Sequence, residues 1–159
     1  MNQVPFPKRA DMPTDSPILL VQGLKVQVGD LPLLRGVNLE VRSGETLAIV
    51  GESGCGKSMT ALGIMKLLPS GVNIADGSIL YSGFDLTSAS ELQMRQIRGN
   101  EISIIFQDAA SSLNPLMTVR KQLVEAIIAH QSLPLKQANK RAEELLNLVG
   151  IPDPKTRLE

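Results

Sequence analysis

The run GESGCGKSMT at residues 51–60 constrains this 159-residue chain more than any other feature. Gly51, Gly56, Lys57 and Ser58 fit the spacing G-x-x-x-x-G-K-[ST]. The run sits between an unbroken apolar stretch, TLAIV at 46–50, and a segment with apolar groups at helical spacing: Ala61, Ile64, Leu67 and Leu68. Each residue type in the pattern answers a physical need. Glycines let the backbone curl, so that the N–H groups of Gly54, Gly56, Lys57 and Ser58 converge on phosphate oxygens with no side chain in the way. The start of the following helix adds partial positive charge at the same place. Lys57 supplies a full charge for the outer phosphates, and the Ser58 hydroxyl suits one position around a magnesium ion bridging them. Ser53, Cys55 and Met59 complete the set expected to line the nucleotide phosphates. The spacing therefore predicts a nucleoside triphosphate site on a strand, loop and helix of an α/β fold.

Other segments fill in the organisation. Residues 1–17 hold four prolines and few large apolar groups, so they read as a flexible leader. From there LKVQV and VNLEV alternate, with Leu24, Val26, Val28, Val37, Leu39 and Val41 on one face and Lys25, Gln27, Asn38 and Glu40 on the other. Two further strands are predicted, GSILYSG at 77–83 and ISIIF at 102–106. ISIIF and TLAIV are wholly apolar apart from one hydroxyl each and suit strands buried on both faces of a parallel sheet. Pro69 and Gly71 should stop the helix after the glycine run. Thr118 can cap VRKQLVEAIIAH, and Ser132 can cap a helix through KQANKRAEELLNLV that Gly150 and Pro152 close. His130 closes the first of these helices and fits a helix-dipole partner or a solvated residue, while Asp85 and Asp108 fit surface or capping duty.

Composition narrows the function classes. Sixteen basic residues balance sixteen acidic ones, which gives no whole-chain charge for nucleic acid or an anionic membrane surface. Cys55 is the single cysteine, so there is no internal disulfide framework and no cysteine-clustered zinc site. Its place in the glycine run gives it the bland role of a small filler, although a helix start can make a thiol reactive. No aliphatic run approaches the length of a bilayer span, and a cytoplasmic setting is expected.

The combination of VNLEVRSGETLAIVGESGCGKS with ISIIFQDAASSLNP about fifty residues later resembles the ATP-binding subunits of ABC transporters, specifically the peptide and nickel importer group. MRQIRGNEISIIFQD and LLNLVGIPDP are similar to that group too, and the resemblance spans residues 18–158. It implies an ABC ATPase core of the P-loop class over 18–108, opened by a small antiparallel β subdomain, and the start of a helical subdomain over 109–159. It also implies that Gln107, at the end of ISIIF, contacts magnesium and the surroundings of the attacking water. Residues 109–116, with Asn114 and Pro115 shaping a turn, would face the membrane partners. Implied partners are transmembrane permease subunits, a second ATP-binding subunit and, indirectly, a solute-binding protein, with the subunit peripheral on the cytoplasmic side of the cell membrane. ATP and magnesium are the implied cofactors, with Lys57 and Gln107 the implied catalytic residues.

Two departures matter. Where the family places an aromatic ring beside adenine, this sequence has Val28, which covers a base without stacking on it. Ala109 stands where the group tends to have proline. No LSGGQ signature, no apolar strand ending in Asp-Glu and no switch histidine follow within the 159 residues, so the general base and second metal anchor of hydrolysis have no counterpart. The expectation is the amino-terminal part of a larger ATPase, with an incomplete sheet, low stability and no turnover by itself. The alternative is a nucleotide-binding or partner-binding module without catalysis. A soluble P-loop kinase or a DNA-repair relative fits the glycine run but not QDAASSLNP.

Overall fold

The computed structural model describes residues 16–107 and 112–159. Most of the expected leader, and Asp108 with Ala109, thus lie outside the described residues. The chain divides into two compact units, one ending at Arg98 and the other beginning at Gly99.

The first unit is built on alternating sequence. Strand β1 (Leu19–Val28) pairs antiparallel with β2 (Leu31–Val41) on one side and β3 (Val72–Tyr81) on the other, and β3 turns back into the two-residue β4 (Phe84–Asp85), giving the order β2-β1-β3-β4. Val21, Leu24, Val26 and Ile79 are fully buried, while Lys25 faces outward and pairs with Asp76 at 2.9 Å. Each such buried aliphatic side chain contributes about 1.5–3 kcal/mol by leaving water. The ladder bulges where Gly77 (φ +94°) meets Gly23, since a Cβ on Gly77 would lie 2.6 Å from the Gly23 carbonyl. Only a backbone without side chains passes there. Asn38 seals the bulge by accepting the Gly23 N–H at 2.8 Å.

Two helices complete this unit, α1 (Lys57–Ile64) and α2 (Glu91–Ile97). Ser90 and Gln93 form a reciprocal capping box at the start of α2. The first helix is shorter than its apolar spacing predicts and ends before Leu67 and Leu68. Lys66 adopts a left-handed backbone (φ +50°) and donates to the carbonyls of Thr87 (2.9 Å) and Ala89 (2.7 Å). The turn is fixed by these bonds rather than by Pro69.

TLAIV and ISIIF do not form the central strands that their composition predicts. Residues 46–50 carry no strand, and Val50 is 91% exposed; in the second unit residues 103–106 carry none, and Ile105 is 94% exposed. A parallel strand is held by ladders to neighbours on both edges. Among the described residues the only sheet is the antiparallel one, which offers neither segment a partner.

The second unit is helical: α3 (Val119–His130), α4 (Leu135–Leu148) and α5 (Pro154–Arg157). Val124 and Ile127 meet Ala138, Ala142 and Leu158 in its core, where the two alanines one turn apart let α3 and α4 approach closely. Thr118 caps α3 as predicted, accepting the Lys121 N–H at 3.2 Å. Ser132 does not cap α4. Pro134 stands at that position, with no side-chain cap, and its carbonyl accepts the Ala138 N–H at 3.0 Å. Proline's fixed φ already suits helix entry, which leaves Ser132 outside. Gly150, at φ +75°, follows the end of α4 as the sequence predicts. His130 closes α3, exposed, with its ring over Gly99, where a Cβ would lie 2.6 Å from Nε2.

Candidate nucleotide-binding site

Residues 51–56 make an exposed loop that runs directly into α1. Gly54 (φ +85°) and Gly56 (φ +100°) supply its left-handed turns. Gly56 is doubly constrained, because a Cβ there would lie 2.5 Å from Leu34 Cδ2 on β2. Contact between Gly56 and β2 thus seats the loop against the sheet. Thr60, buried one turn into α1, returns its N–H (2.8 Å) and its hydroxyl (3.0 Å) to the Gly56 carbonyl and fixes the junction of loop and helix. The sequence pattern stops at Ser58 and gives no sign of this second hydroxyl's role.

Lys57 folds back over the loop. Its Nζ donates to the carbonyls of Gly51 and Glu52, each at 2.7 Å, and approaches Cys55 Sγ at 3.4 Å. Carbonyls are neutral partners, so the ammonium keeps its full charge for an anion. Cys55 is exposed, and a Cβ on Gly51 would lie 2.7 Å from its Sγ. The thiol therefore occupies the space that the missing Gly51 side chain would fill, the small-filler role read from sequence.

The first turn of α1 opens on a glycine with no side-chain cap and no acidic residue. Its amides, the Lys57 ammonium and the Ser58 hydroxyl form a donor set suited to a triphosphate with its magnesium. Gly51, Ser53, Gly54, Cys55, Gly56, Lys57, Ser58 and Met59 are brought together in this one loop and helix start. What precedes them is not the predicted strand, as reported above, so the arrangement is loop and helix only.

The remaining sequence candidates are elsewhere. Val28 ends β1 opposite Leu31, both exposed at the hairpin of the same unit. Gln107 lies exposed in the second unit, at a bend that follows irregular chain rather than a strand. Asp85 has partners that its sequence context does not reveal. Its carboxylate accepts the Thr87 N–H (2.8 Å), the Thr87 hydroxyl (2.6 Å) and the Ser88 hydroxyl (2.8 Å). Burial pushes this carboxyl up, but the Thr87 and Ser88 hydrogen bonds outweigh it and hold Asp85 below its ordinary value. Asn114 shapes its turn by accepting the Leu116 N–H at 2.9 Å. Gln122, unmarked in the sequence pattern, clamps the same turn, donating to the carbonyls of Asn114 (3.1 Å) and Met117 (3.0 Å) and accepting the Asn114 N–H (2.9 Å).

Residues 34–159 match the ABC transporter family. The chain belongs to that family. This ABC chain is 48% identical over 147 residues to the dipeptide transport ATP-binding protein DppD of Bacillus subtilis, covering 89% of the chain and 44% of that relative. It is 49% identical over 140 residues to the oligopeptide transport ATP-binding protein OppD of the same organism, covering 87% and 39%. It thus spans about two fifths of the length of these curated relatives. Its fold resembles cbiO1 of Clostridium perfringens, part of the ABC transporter complex cbiONQ, with a TM-score of 0.66, 26% identity, and coverage of 87% of the chain and 52% of cbiO1. The ATP-binding cassette MJ0796, solved as a dimer bound to ADP and Pi, superposes with a TM-score of 0.69 at 24% identity, over 82% and 56%, and supports the fold alone. No helix among the described residues is long and apolar enough to cross a membrane.

Proposed function

We propose that this chain binds ATP with magnesium and forms the nucleotide-holding part of a subunit that couples ATP hydrolysis to solute import. The observation that carries the reading is the Lys57 ammonium, held by neutral carbonyls of a glycine loop that runs into an uncapped helix start. Gly51, Ser53, Gly54, Cys55, Gly56, Lys57, Ser58 and Met59 would surround the phosphates, Ser58 and Gln107 would ligate magnesium, and Val28 would cover the adenine. Bound ATP supplies the phosphoryl group that is transferred. In the assembled subunit Lys57 would bind and orient its outer oxygens, and Gln107 would hold water and metal. The domain division proposed is a leader to residue 17, a partial core over 18–108 and a helical subdomain start over 109–159.

Peptides are the favoured solute, because the relatives at nearly half identity are named for dipeptide and oligopeptide transport; nickel is the second choice. The partners would be permease subunits and a second ATP-binding subunit, with a solute-binding protein acting through them, at the cytoplasmic face of the membrane. Titration of the purified chain with a fluorescent ATP analogue and magnesium tests the core of the proposal. Saturable binding, displaced by ATP and lost in Lys57→Ala, is expected; equal binding by the variant would exclude the site. Co-purification with permease subunits tests the transport role. A module that binds nucleotide without turnover is the second reading, favoured by the exposed apolar segment 46–50, and a steady-state phosphate-release assay on the complex co-purified with permease subunits separates it from the first.

A further inference from the structure

The carboxyl end of α1 is held by two basic side chains, Arg98 and Lys66. Arg98 donates from Nε to the Met65 carbonyl (2.7 Å), from Nη2 to the Lys66 carbonyl (2.9 Å) and from Nη1 to Glu91 (2.7 Å), with its side chain only 17% exposed. The last carbonyls of a helix have no intrahelical donor and carry partial negative charge. Met65, the C-cap residue, offers such a carbonyl, and Lys66 follows it in the turn; a planar guanidinium meets both carbonyls at once and still reaches a carboxylate, which an ammonium does not do. Its bond to Glu91 holds that carboxyl below the usual range. Lys66 ties the same turn to residues 87–89 through the bonds described above. Arg98 is also the last residue of the first unit.

We propose that Arg98 is a positioning residue for the phosphate site: by gripping the Met65 and Lys66 carbonyls it fixes the axis of α1 and so the aim of its first-turn amides and Lys57. The inference rests on the ATP-binding reading above. At the amino end Gly56 lies against Leu34, and the Thr60 hydroxyl closes on the Gly56 carbonyl one turn back. At the other end Lys66 holds the turn to the Thr87 and Ala89 carbonyls, and Arg98 grips the Met65 and Lys66 carbonyls. Phosphate binding is sensitive to the direction of its donors, so without Arg98 the loop keeps its residues and part of its brace and loses accuracy of aim.

The test measures the affinity of the full chain for a fluorescent ATP analogue with magnesium, at a temperature well below every thermal midpoint, in the parent protein, Arg98→Met, Arg98→Lys and Glu91→Gln. Supporting contacts behind a binding group are commonly worth at least a factor of ten, so Arg98→Met should weaken binding about tenfold. Arg98→Lys should recover less than half of that loss, because one ammonium cannot span both carbonyls. Glu91→Gln, which leaves both carbonyl bonds in place, should stay within about twofold. A lower thermal midpoint in Arg98→Met with unchanged affinity would make Arg98 merely stabilising and overturn the proposal, as would full recovery in Arg98→Lys. If Arg98→Met does not fold, the Arg98→Lys affinity decides alone, parental binding overturning the proposal. If the parent chain binds no nucleotide, or Lys57→Ala binds as well as the parent, the phosphate-site reading has failed, and the role of Arg98 falls with it.

Discussion

A single added methyl is enough to test how the glycine loop is built. Gly56 has φ +100°, a left-handed backbone, with the Leu34 terminal methyl 2.5 Å from where a Cβ would lie. Strain of this kind costs about 1–3 kcal/mol, so Gly56→Ala should lower the melting temperature and abolish nucleotide binding together. Lys57→Ala removes charge without backbone strain. Hydrogen bonds to charged groups are worth about 1.5–3 kcal/mol, so ATP affinity, measured well below the melting temperature of the variant, should fall about 10- to 100-fold. Cys55 provides a reporter in the same loop, since its thiol is exposed beside Lys57. Saturating ATP should slow its alkylation, and equal labelling with and without ATP would contradict the site. At Val28 the missing aromatic ring forgoes stacking, worth about 1–3 kcal/mol for bases on rings, so Val28→Tyr should tighten binding if adenine lies there.

Elements are held by caps and turns whose strength can be read separately. Thr118→Ala removes the Lys121 cap of α3 and should destabilise the second unit by about 1 kcal/mol, with exchange of the first-turn amides rising first. The turn after β4 depends on the Asp85 carboxylate. Its folded value is depressed, so it contributes stability that is fully present above the ordinary aspartate value and is lost as pH falls through the lowered folded value. Thermal midpoints followed from neutral to acid pH should therefore drop less steeply in Asp85→Asn than in the parent. Identical acid slopes would mean that the Thr87 and Ser88 bonds favour neither protonation state.

For the whole molecule, the exposed apolar segments are the dominant liability. Val50 in one unit and Ile105 in the other stand almost fully in water, and runs of this kind promote association. Light scattering of the purified chain should show concentration-dependent assembly that Val50→Lys and Ile105→Lys reduce without lowering the melting temperature.

The sequence by itself determined whatever depends on local chemistry. The glycine loop with Lys57 and Ser58, the alternation that buries Leu24 and Val26, the Thr118 cap and the Gly150 stop all follow from residue type and spacing over a few positions. Tertiary structure decided what spacing cannot encode. Whether TLAIV and ISIIF become strands depends on ladder partners elsewhere, and the antiparallel sheet supplies none. Where α1 ends depends on carbonyls at 87 and 89 and a guanidinium at 98, and how Gly56 is seated depends on Leu34. An apolar run states that it can be buried; only the rest of the fold states against what.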